Sequence, residues 1–142
     1  MILDRNLRID LKSYIAKSIK KENTIIFHNS NDKSKIKLLK KRGSILIKQS
    51  TGKYKNLDLK KILKNLYKME IRNLLVEGGD ILTKNFLQKK LFNEFYMFRS
   101  SKKLSKNKKH INFTSFNILN TKYNKHKINS ELASDKLTIY KN

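Results

Sequence analysis

The sequence predicts an α/β fold in which helices cover a largely parallel sheet. Short apolar segments of strand character alternate along the chain with segments of helical periodicity, the order that parallel strands with crossover helices require. Near the C-terminus two predicted strands, 113–123 and 136–140, follow one another without a helix between them, so we expect an antiparallel edge. The chain has 142 residues, which suits one domain, and no internal boundary is evident.

The first half contains three predicted strands. Residues 1–3, 24–28 and 44–48 are apolar or β-branched and are bounded by polar residues, as strands of a buried sheet are. A helix is predicted over 33–41, with Gly43 as the residue that ends it. The second predicted strand and the third are therefore joined through a helix, as in a parallel sheet.

The second half begins with the clearest helix prediction, over 58–68. Asp58 is a natural N-cap, and the apolar positions after it recur at helical spacing, at Leu59, Ile62, Leu63 and Leu66. Residues 73–76 are predicted as a strand, 80–90 as a helix and 93–99 as another strand. In the helix over 80–90, the residues expected to face inward are Ile81, Leu82, Phe86 and Leu87.

A double-glycine turn joins the predicted strand 73–76 to the following helix. Because glycine lacks Cβ, a ligand can approach the backbone closely at Gly78 and Gly79. The free N–H groups and positive end of the helix can hold an anion there. The same turn is also common as a purely structural connection. In parallel sheets ligands bind beyond the carboxyl ends of the strands, which is where this turn is expected.

The net charge of +23 admits a second class of function, nucleic-acid binding. The basic run from Lys102 to Lys109 would contact phosphates, and Phe113 and Phe116 would stack on bases. The 29 lysines and five arginines, however, are spread along the chain and are more typical of a solvated surface, since phosphate recognition favours arginine. A small basic nucleic-acid-binding protein is therefore the alternative function, and specific nucleic-acid binding is not the first expectation.

Several kinds of site are not expected. The chain has no cysteine, which excludes disulfides and cysteine-ligated zinc. The three histidines, His28, His110 and His126, are scattered without a second ligand at suitable spacing, so no metal site is predicted. No apolar run approaches the roughly 20 residues that cross a bilayer, and the polar N-terminus does not resemble a signal peptide, so a cytoplasmic protein is expected.

Two motifs resemble one known family. Residues 75–79, Leu-Val-Glu-Gly-Gly, together with the following helix and the strand Asn-Glu-Phe-Tyr-Met at 93–97, resemble the reductase domain of the bifunctional riboflavin-biosynthesis deaminase/reductase. The opening at 2–9, Ile-Leu-Asp-Arg-Asn-Leu-Arg-Ile, is similar to a strand and loop of the same domain. The motifs stand in the family's order, and the resemblance covers essentially the whole chain, although it is vague over 12–55 and after 99.

The resemblance implies a dihydrofolate-reductase-like three-layer fold, with a mostly parallel sheet and antiparallel C-terminal strands. It also implies riboflavin biosynthesis, through NADPH-dependent reduction of 5-amino-6-(5-phosphoribosylamino)uracil to the ribityl product. Glu77 would contact the substrate as a hydrogen-bond acceptor. The alternative is a structural role, as a negative charge near a helix N-terminus or as the ion-pair partner of a lysine. Arg5 would lie beside the cofactor. The expected cofactor-binding stretch is Gly78, Gly79, Asp80, Ile81, Leu82, Thr83, Lys84 and Asn85.

The sequence also departs from the family pattern. Met1 falls inside a predicted strand, and the family's first strand, its Ser-Leu-Asp-Gly turn and its second strand are not found in these 142 residues. We therefore expect 1–142 to be a partial reductase domain with impaired activity, whose hydride-transfer residues would lie upstream of Met1. The alternatives are an inactive fragment or half of a split reductase. Expected partners are the pyrimidine ribosyl phosphate substrate and either a second copy in a homodimer or a complementing N-terminal half.

Overall fold

The computed structural model describes residues 1–52, 56–102, 113–128 and 134–142. The chain divides into two compact units, Met1–Leu74 and Leu75–Asn142. We describe each unit by itself.

The first unit is built on a parallel sheet. Its strands are β1 (Ile2–Leu3), β2 (Ile25–His28) and β3 (Ile45–Lys48), in the spatial order β1-β2-β3. Ile26 is the partner of Ile2 on one side and of Leu46 on the other. The helices of this unit are α1 (Tyr14–Ser18), α2 (Lys33–Lys41) and α3 (Leu59–Lys68). The three strands and the two longer helices confirm the sequence predictions for these segments.

Burial explains why β2 is the central strand. All four of its residues are buried, as expected of a strand paired on both edges and covered by side chains. The core cluster of the unit draws on the loop after β1, on α1 and its C-cap residue, on β2 and on α2, and it consists of Leu7, Ala16, Ile19, Ile26 and Leu39. This burial joins local elements that are far apart in sequence into one unit.

The helix ends of the first unit follow capping chemistry. The Asp32 carboxylate accepts a hydrogen bond from the Lys35 N–H at 2.9 Å, and Asp58 accepts from the Lys60 N–H at 3.1 Å. Ser13 caps α1 in the same way, through the Ala16 N–H. Gly43 has a φ of 96°, which side chains disfavour, so glycine suits the residue just beyond α2.

The second unit is built on an antiparallel sheet. Its helices and strands are α4 (Asp80–Gln88), β4 (Glu94–Arg99), α5 (Phe116–Lys122), β5 (Asn124–Ile128) and β6 (Lys136–Lys141). The strand order is β4-β6-β5, so β6 lies between the other two. Leu87, Leu119 and Tyr140 form the buried cluster. The predicted combination of a parallel sheet with antiparallel C-terminal strands is confirmed.

The strand predicted over 73–76 is not formed. Residues 71–79 have no regular secondary structure, and the Leu75 side chain is 83% exposed. The Leu-Leu-Val sequence has strand propensity, but a strand also requires a neighbour that hydrogen-bonds its backbone. No strand in the described ranges supplies that neighbour, so the segment stays irregular.

The C-terminal predictions were partly wrong. The predicted strand 113–123 is mainly the helix α5, in which Phe116 and Leu119 stand at helical spacing and Leu119 is completely buried. The predicted polar connection 124–135 contains β5, which forms by pairing with β6 despite its polar sequence. In α4, Phe86 and Leu87 are buried as predicted, whereas Ile81 is 74% exposed because it lies on the opposite side of the first turn.

His28 is a buried titratable group at the end of β2. Its side chain is 3% exposed, and its Nδ1 accepts a hydrogen bond from the Ser30 N–H at 3.2 Å. Burial lowers the pKa of His28 below its ordinary value, the charges of Lys48 and Lys40 act in the same direction, and the charge of Asp4 opposes them. The fold therefore favours the neutral imidazole.

The first prediction concerns this histidine. Because its folded pKa is lowered, it contributes stability above its unfolded pKa of about 6.5, and that contribution is lost as the pH falls through the folded pKa. We expect the free energy of unfolding, from urea titrations, to decrease between about pH 7.5 and 5.5. His28→Asn keeps an acceptor for Ser30 but does not titrate, so it should lose much less stability over that interval. An equal decrease in both proteins would contradict the assignment.

Candidate functional site

The N-terminus of α4 presents unpaired backbone donors. Gly79 is the N-cap residue, and its carbonyl accepts hydrogen bonds from the N–H groups of Leu82 at 3.1 Å and Thr83 at 3.2 Å. Within the described residues, the N–H groups of Asp80 and Ile81 have no acceptor. Two free donors at the positive end of a helix can bind one anionic oxygen or more.

The two glycines before α4 have different surroundings. A Cβ added to Gly78 would lie 2.7 Å from Leu82 Cδ2 and 3.2 Å from Leu82 Cβ, so the Leu82 side chain would have to shift to accept it. A Cβ added to Gly79 would meet no atom within 4 Å. Gly79 also has a φ of −73°, which any residue adopts. Neither packing nor backbone strain therefore requires glycine at 79, and the space beside it is open to a ligand.

Asp80 uses its carboxylate within the chain. Its Oδ1 accepts hydrogen bonds from the Thr114 N–H at 2.9 Å and the Ser115 hydroxyl at 3.2 Å, and its Oδ2 accepts from the Thr114 hydroxyl at 2.5 Å. Hydrogen bonding by the Thr114 side chain lowers the pKa of the Asp80 carboxyl. This contact, which we call the Asp80 clamp, ties the start of α4 to the residues just before α5. The side chain is thus engaged in structure, whereas the backbone N–H of Asp80 has no acceptor among the described residues.

A pocket of about 710 Å³ runs beside β4. Two residues of the predicted site, Gly78 and Thr83, line it together with Phe113, Phe116 and the strand residues Phe95, Tyr96, Met97, Phe98 and Arg99. The Phe95 and Phe113 rings are stacked, with centroids 6.2 Å apart, and the Arg99 guanidinium lies 4.9 Å from the Phe116 ring centre. The pocket is therefore largely aromatic, with one cation at its side.

The predicted site residues are divided between the two units. Glu77 is exposed, and its carboxylate has no hydrogen bond or ion pair to any described residue. Lys84 is exposed, and the Asn85 side chain donates to the Ile81 carbonyl at 2.8 Å. Arg5 belongs to the first unit, where its Nε donates to the Asn6 side chain at 3.1 Å.

The sequence analysis missed two contributors to this region. Thr114 was not singled out, because its contact with Asp80 joins residues 34 positions apart in sequence. Arg99 was placed in a strand without a role, although an arginine that ends a strand of aromatic residues was a usable signal.

The nucleic-acid alternative gains no support from the described residues. Phe113 stacks on Phe95, and Phe116 contacts Arg99, so both rings already have partners within the chain. Most of the basic run Lys102–Lys109 lies outside the described residues.

In the part of the chain that the structure describes, no cluster of three or more His, Asp or Glu side chains could hold a metal ion. No helix there is long and apolar enough to cross a membrane.

Asp80 gives a prediction about acid stability. Since its folded pKa is lowered, the clamp contributes stability above the unfolded pKa of about 3.9 and loses it as the pH falls through the folded pKa. We expect the stability difference between the wild type and Asp80→Asn to be constant from neutral pH to about pH 5, and to shrink below about pH 4. Urea titrations across this range measure it.

A matched variant of the clamp is Thr114→Val, which removes the hydroxyl donor but keeps the side-chain shape. It should reproduce most of the pH-dependent part of the Asp80→Asn effect. If the stability difference from the wild type is the same at neutral and acidic pH in both variants, these hydrogen bonds do not stabilise the carboxylate charge.

Comparison with known proteins finds a matching family and a curated relative. Residues 1–130 match the model of the family described as the RibD C-terminal domain. The riboflavin biosynthesis protein RibD of Aquifex aeolicus (strain VF5) is 31% identical over 102 residues, which are 72% of this chain and 27% of that protein. The chain therefore spans about a quarter of the length of this relative.

Solved structures are similar in fold. Acinetobacter baumannii RibD, form 2, matches with a TM-score of 0.71 at 19% identity, over 99% of this chain and 36% of that one. A pyrimidine reductase-like protein of Corynebacterium diphtheriae matches with a TM-score of 0.64 at 14% identity, over 98% of this chain and 58% of that one. These similarities confirm the predicted dihydrofolate-reductase-like α/β fold.

Proposed function

Because the chain belongs to the RibD C-terminal domain family, we propose that it acts as a reductase of riboflavin biosynthesis. The reaction would be NADPH-dependent reduction of 5-amino-6-(5-phosphoribosylamino)uracil to the ribityl product. The observation that carries the proposal is the family match over 1–130, which includes the Glu77-Gly78-Gly79 turn and α4. All 142 residues would then be part of a reductase domain, in a chain that spans about a quarter of its Aquifex aeolicus relative.

The start of α4 is the proposed site for the cofactor phosphates. The N–H groups of Asp80 and Ile81 are unpaired within the described residues, and the open space beside Gly79 admits a phosphate to them. The Asp80 carboxylate would oppose an anion, and its hydrogen bonds from Thr114 and Ser115 fix its position without removing its charge. The exposed Lys84, one turn into the helix, adds a positive charge.

Arg5 is the proposed cofactor contact in the first unit. It follows β1, and its carbonyl accepts a hydrogen bond from the Asn29 N–H, just after β2, at 2.7 Å. It therefore lies at the carboxyl ends of parallel strands, the usual ligand-binding edge of such a sheet. The Lys48 ammonium, at the end of β3, donates to Asn31 at 2.6 Å on the same edge. These cations suit the negative charges of NADPH.

Glu77 is the proposed contact with the substrate. Its carboxylate is exposed and has no partner among the described residues, so its acceptor capacity is available to hydroxyl or N–H groups. Glu77 directly precedes both glycines in the sequence. A substrate bound to it would therefore lie close to the proposed phosphate site at the start of α4, in the same unit.

The cofactor proposal predicts opposite behaviour of the two glycines. Gly79→Ser should keep the free energy of unfolding within about 1 kcal/mol, because serine is a good N-cap. It should weaken NADPH binding about tenfold or more, because the hydroxyl takes a helix N–H and the Cβ narrows the approach. Isothermal titration with NADPH, with urea titrations alongside, measures both quantities.

Gly78→Ala is the matched comparison for that variant. Its methyl group would crowd Leu82, so we expect a loss of about 1–3 kcal/mol of stability. An unchanged NADPH affinity in Gly79→Ser would overturn the phosphate site at this turn.

The direct test of the function is NADPH oxidation by the purified chain that depends on the pyrimidine substrate. Turnover supports the reductase proposal. NADPH binding without turnover, under conditions where a full-length relative is active, would contradict it for this chain and leave the cofactor site standing.

In the same assay, Glu77→Gln should lower kcat/KM about 10- to 100-fold, because a hydrogen bond to a charged group is worth about 1.5–3 kcal/mol. NADPH affinity should change little. Glu22→Gln is the control, since Glu22 is also exposed and loses the same charge in the other unit. Equal activities of the two variants would remove Glu77 from the substrate site.

A further inference from the structure

The first turn of α4 contains both free donors and a suitable acceptor, and they do not bond to each other. The N–H groups of Asp80 and Ile81 have no acceptor among the described residues. An acidic side chain in a first turn is attracted to the positive end of the helix, and aspartate commonly bonds N–H groups of its own or neighbouring residues. The Asp80 carboxylate instead accepts from Thr114 and Ser115, just before α5.

The donor side of the Asp80 clamp is anchored in the second unit. Ser115 is completely buried, and its carbonyl accepts a hydrogen bond from the Leu119 N–H at 3.2 Å, in the first turn of α5. The Thr114 hydroxyl lies 2.5 Å from Asp80 Oδ2, a distance typical of strong hydrogen bonds to a charged acceptor. Thr114 is itself exposed, so its side chain can be replaced without disturbing the core.

The clamp leaves Asp80 charged at neutral pH. Hydrogen bonding by the Thr114 side chain lowers the pKa of the carboxyl, which favours the ionised form. An ionised carboxylate at the end of α4 can occupy the free N–H groups itself, and it repels a second anion that approaches them. The position of this charge therefore decides whether an anionic ligand can use the donors.

We propose that Thr114 is a positioning residue for cofactor binding, which holds the Asp80 carboxylate toward α5 and keeps the free N–H groups of α4 available to the cofactor phosphates. Without the Thr114 hydroxyl, the carboxylate would turn to its own helix and compete with the phosphates. The inference rests on the proposed function, because it takes this helix end as the phosphate site.

A purely mechanical role of the clamp makes a different prediction. If the clamp only fixed the start of α4 against the residues before α5, loss of either partner would weaken NADPH binding. If Thr114 controls the position of the charge, Thr114→Val weakens binding, whereas Asp80→Asn does not, because it removes the competing charge. The two variants together therefore distinguish the roles.

Isothermal titration with NADPH at neutral pH compares the wild type, the two single variants and the double variant. We expect Thr114→Val to weaken binding about three- to tenfold, because the carboxylate then interacts with the helix end. Asp80→Asn should bind NADPH at least as tightly as the wild type. In the Asp80→Asn background, Thr114→Val should change the affinity less than about twofold, since no charge remains to compete.

Two further variants are controls. Thr114→Ser keeps the hydroxyl donor and should bind NADPH as the wild type does. Thr121→Val removes an exposed hydroxyl of α5 that donates to the Asn117 carbonyl at 2.8 Å, away from the clamp, and should also leave the affinity unchanged.

The amide protons of Asp80 and Ile81 provide a readout that a mechanical role would not change in this pattern. In Thr114→Val without ligand, a hydrogen bond to the carboxylate should shift at least one of these NMR signals downfield. The shift should disappear in the double variant, because the charged acceptor is gone.

The possible failures are distinguishable. Wild-type affinity in Thr114→Val, equal losses of affinity in Thr114→Val and Asp80→Asn, or unchanged amide signals would each overturn the positioning role while the cofactor site stands. A wild-type chain that does not bind NADPH would contradict the proposed cofactor site itself, and the role of Thr114 would fall with it.

Discussion

Pairing of strand backbones is the constraint on which the rest of the structure depends. A strand needs a neighbour for its N–H and C=O groups, whatever its side chains favour. β5 has a polar sequence, Asn-Lys-His-Lys-Ile, yet it is a strand because β6 lies beside it. Residues 73–76 have an apolar sequence and remain irregular because no described strand pairs with them. Side-chain propensity favours a strand, but the strand forms only where a neighbouring segment hydrogen-bonds its backbone.

The same constraint gives the two edges of the antiparallel sheet different meanings. At β5 the edge is polar, whereas at β4 the exposed rings of Tyr96 and Phe98 accompany backbone groups that no strand of the described residues pairs.

In the turn before α4, neighbouring residues have different structural roles. Gly78 permits packing by Leu82, while Gly79 leaves space beside unpaired N–H groups. The Asp80 carboxylate would disfavour an anion, and hydrogen bonds from Thr114 and Ser115 fix its position without removing its charge. Family membership makes a reductase the natural proposal for this turn, and the surroundings of each residue distinguish structural positions from those available to a ligand.

The sequence by itself determined most helices, the strands of the parallel sheet and the family, because these depend on local periodicity, capping residues and a short motif around Glu77-Gly78-Gly79. α5 was wrongly predicted as a strand, although Phe116 and Leu119 stand at helical spacing. Only the tertiary structure decided the fate of residues 73–76, the existence of β5 and the contact of Asp80 with Thr114. Each of these features depends on which distant segment of the chain lies beside it, and the local sequence does not predict that contact.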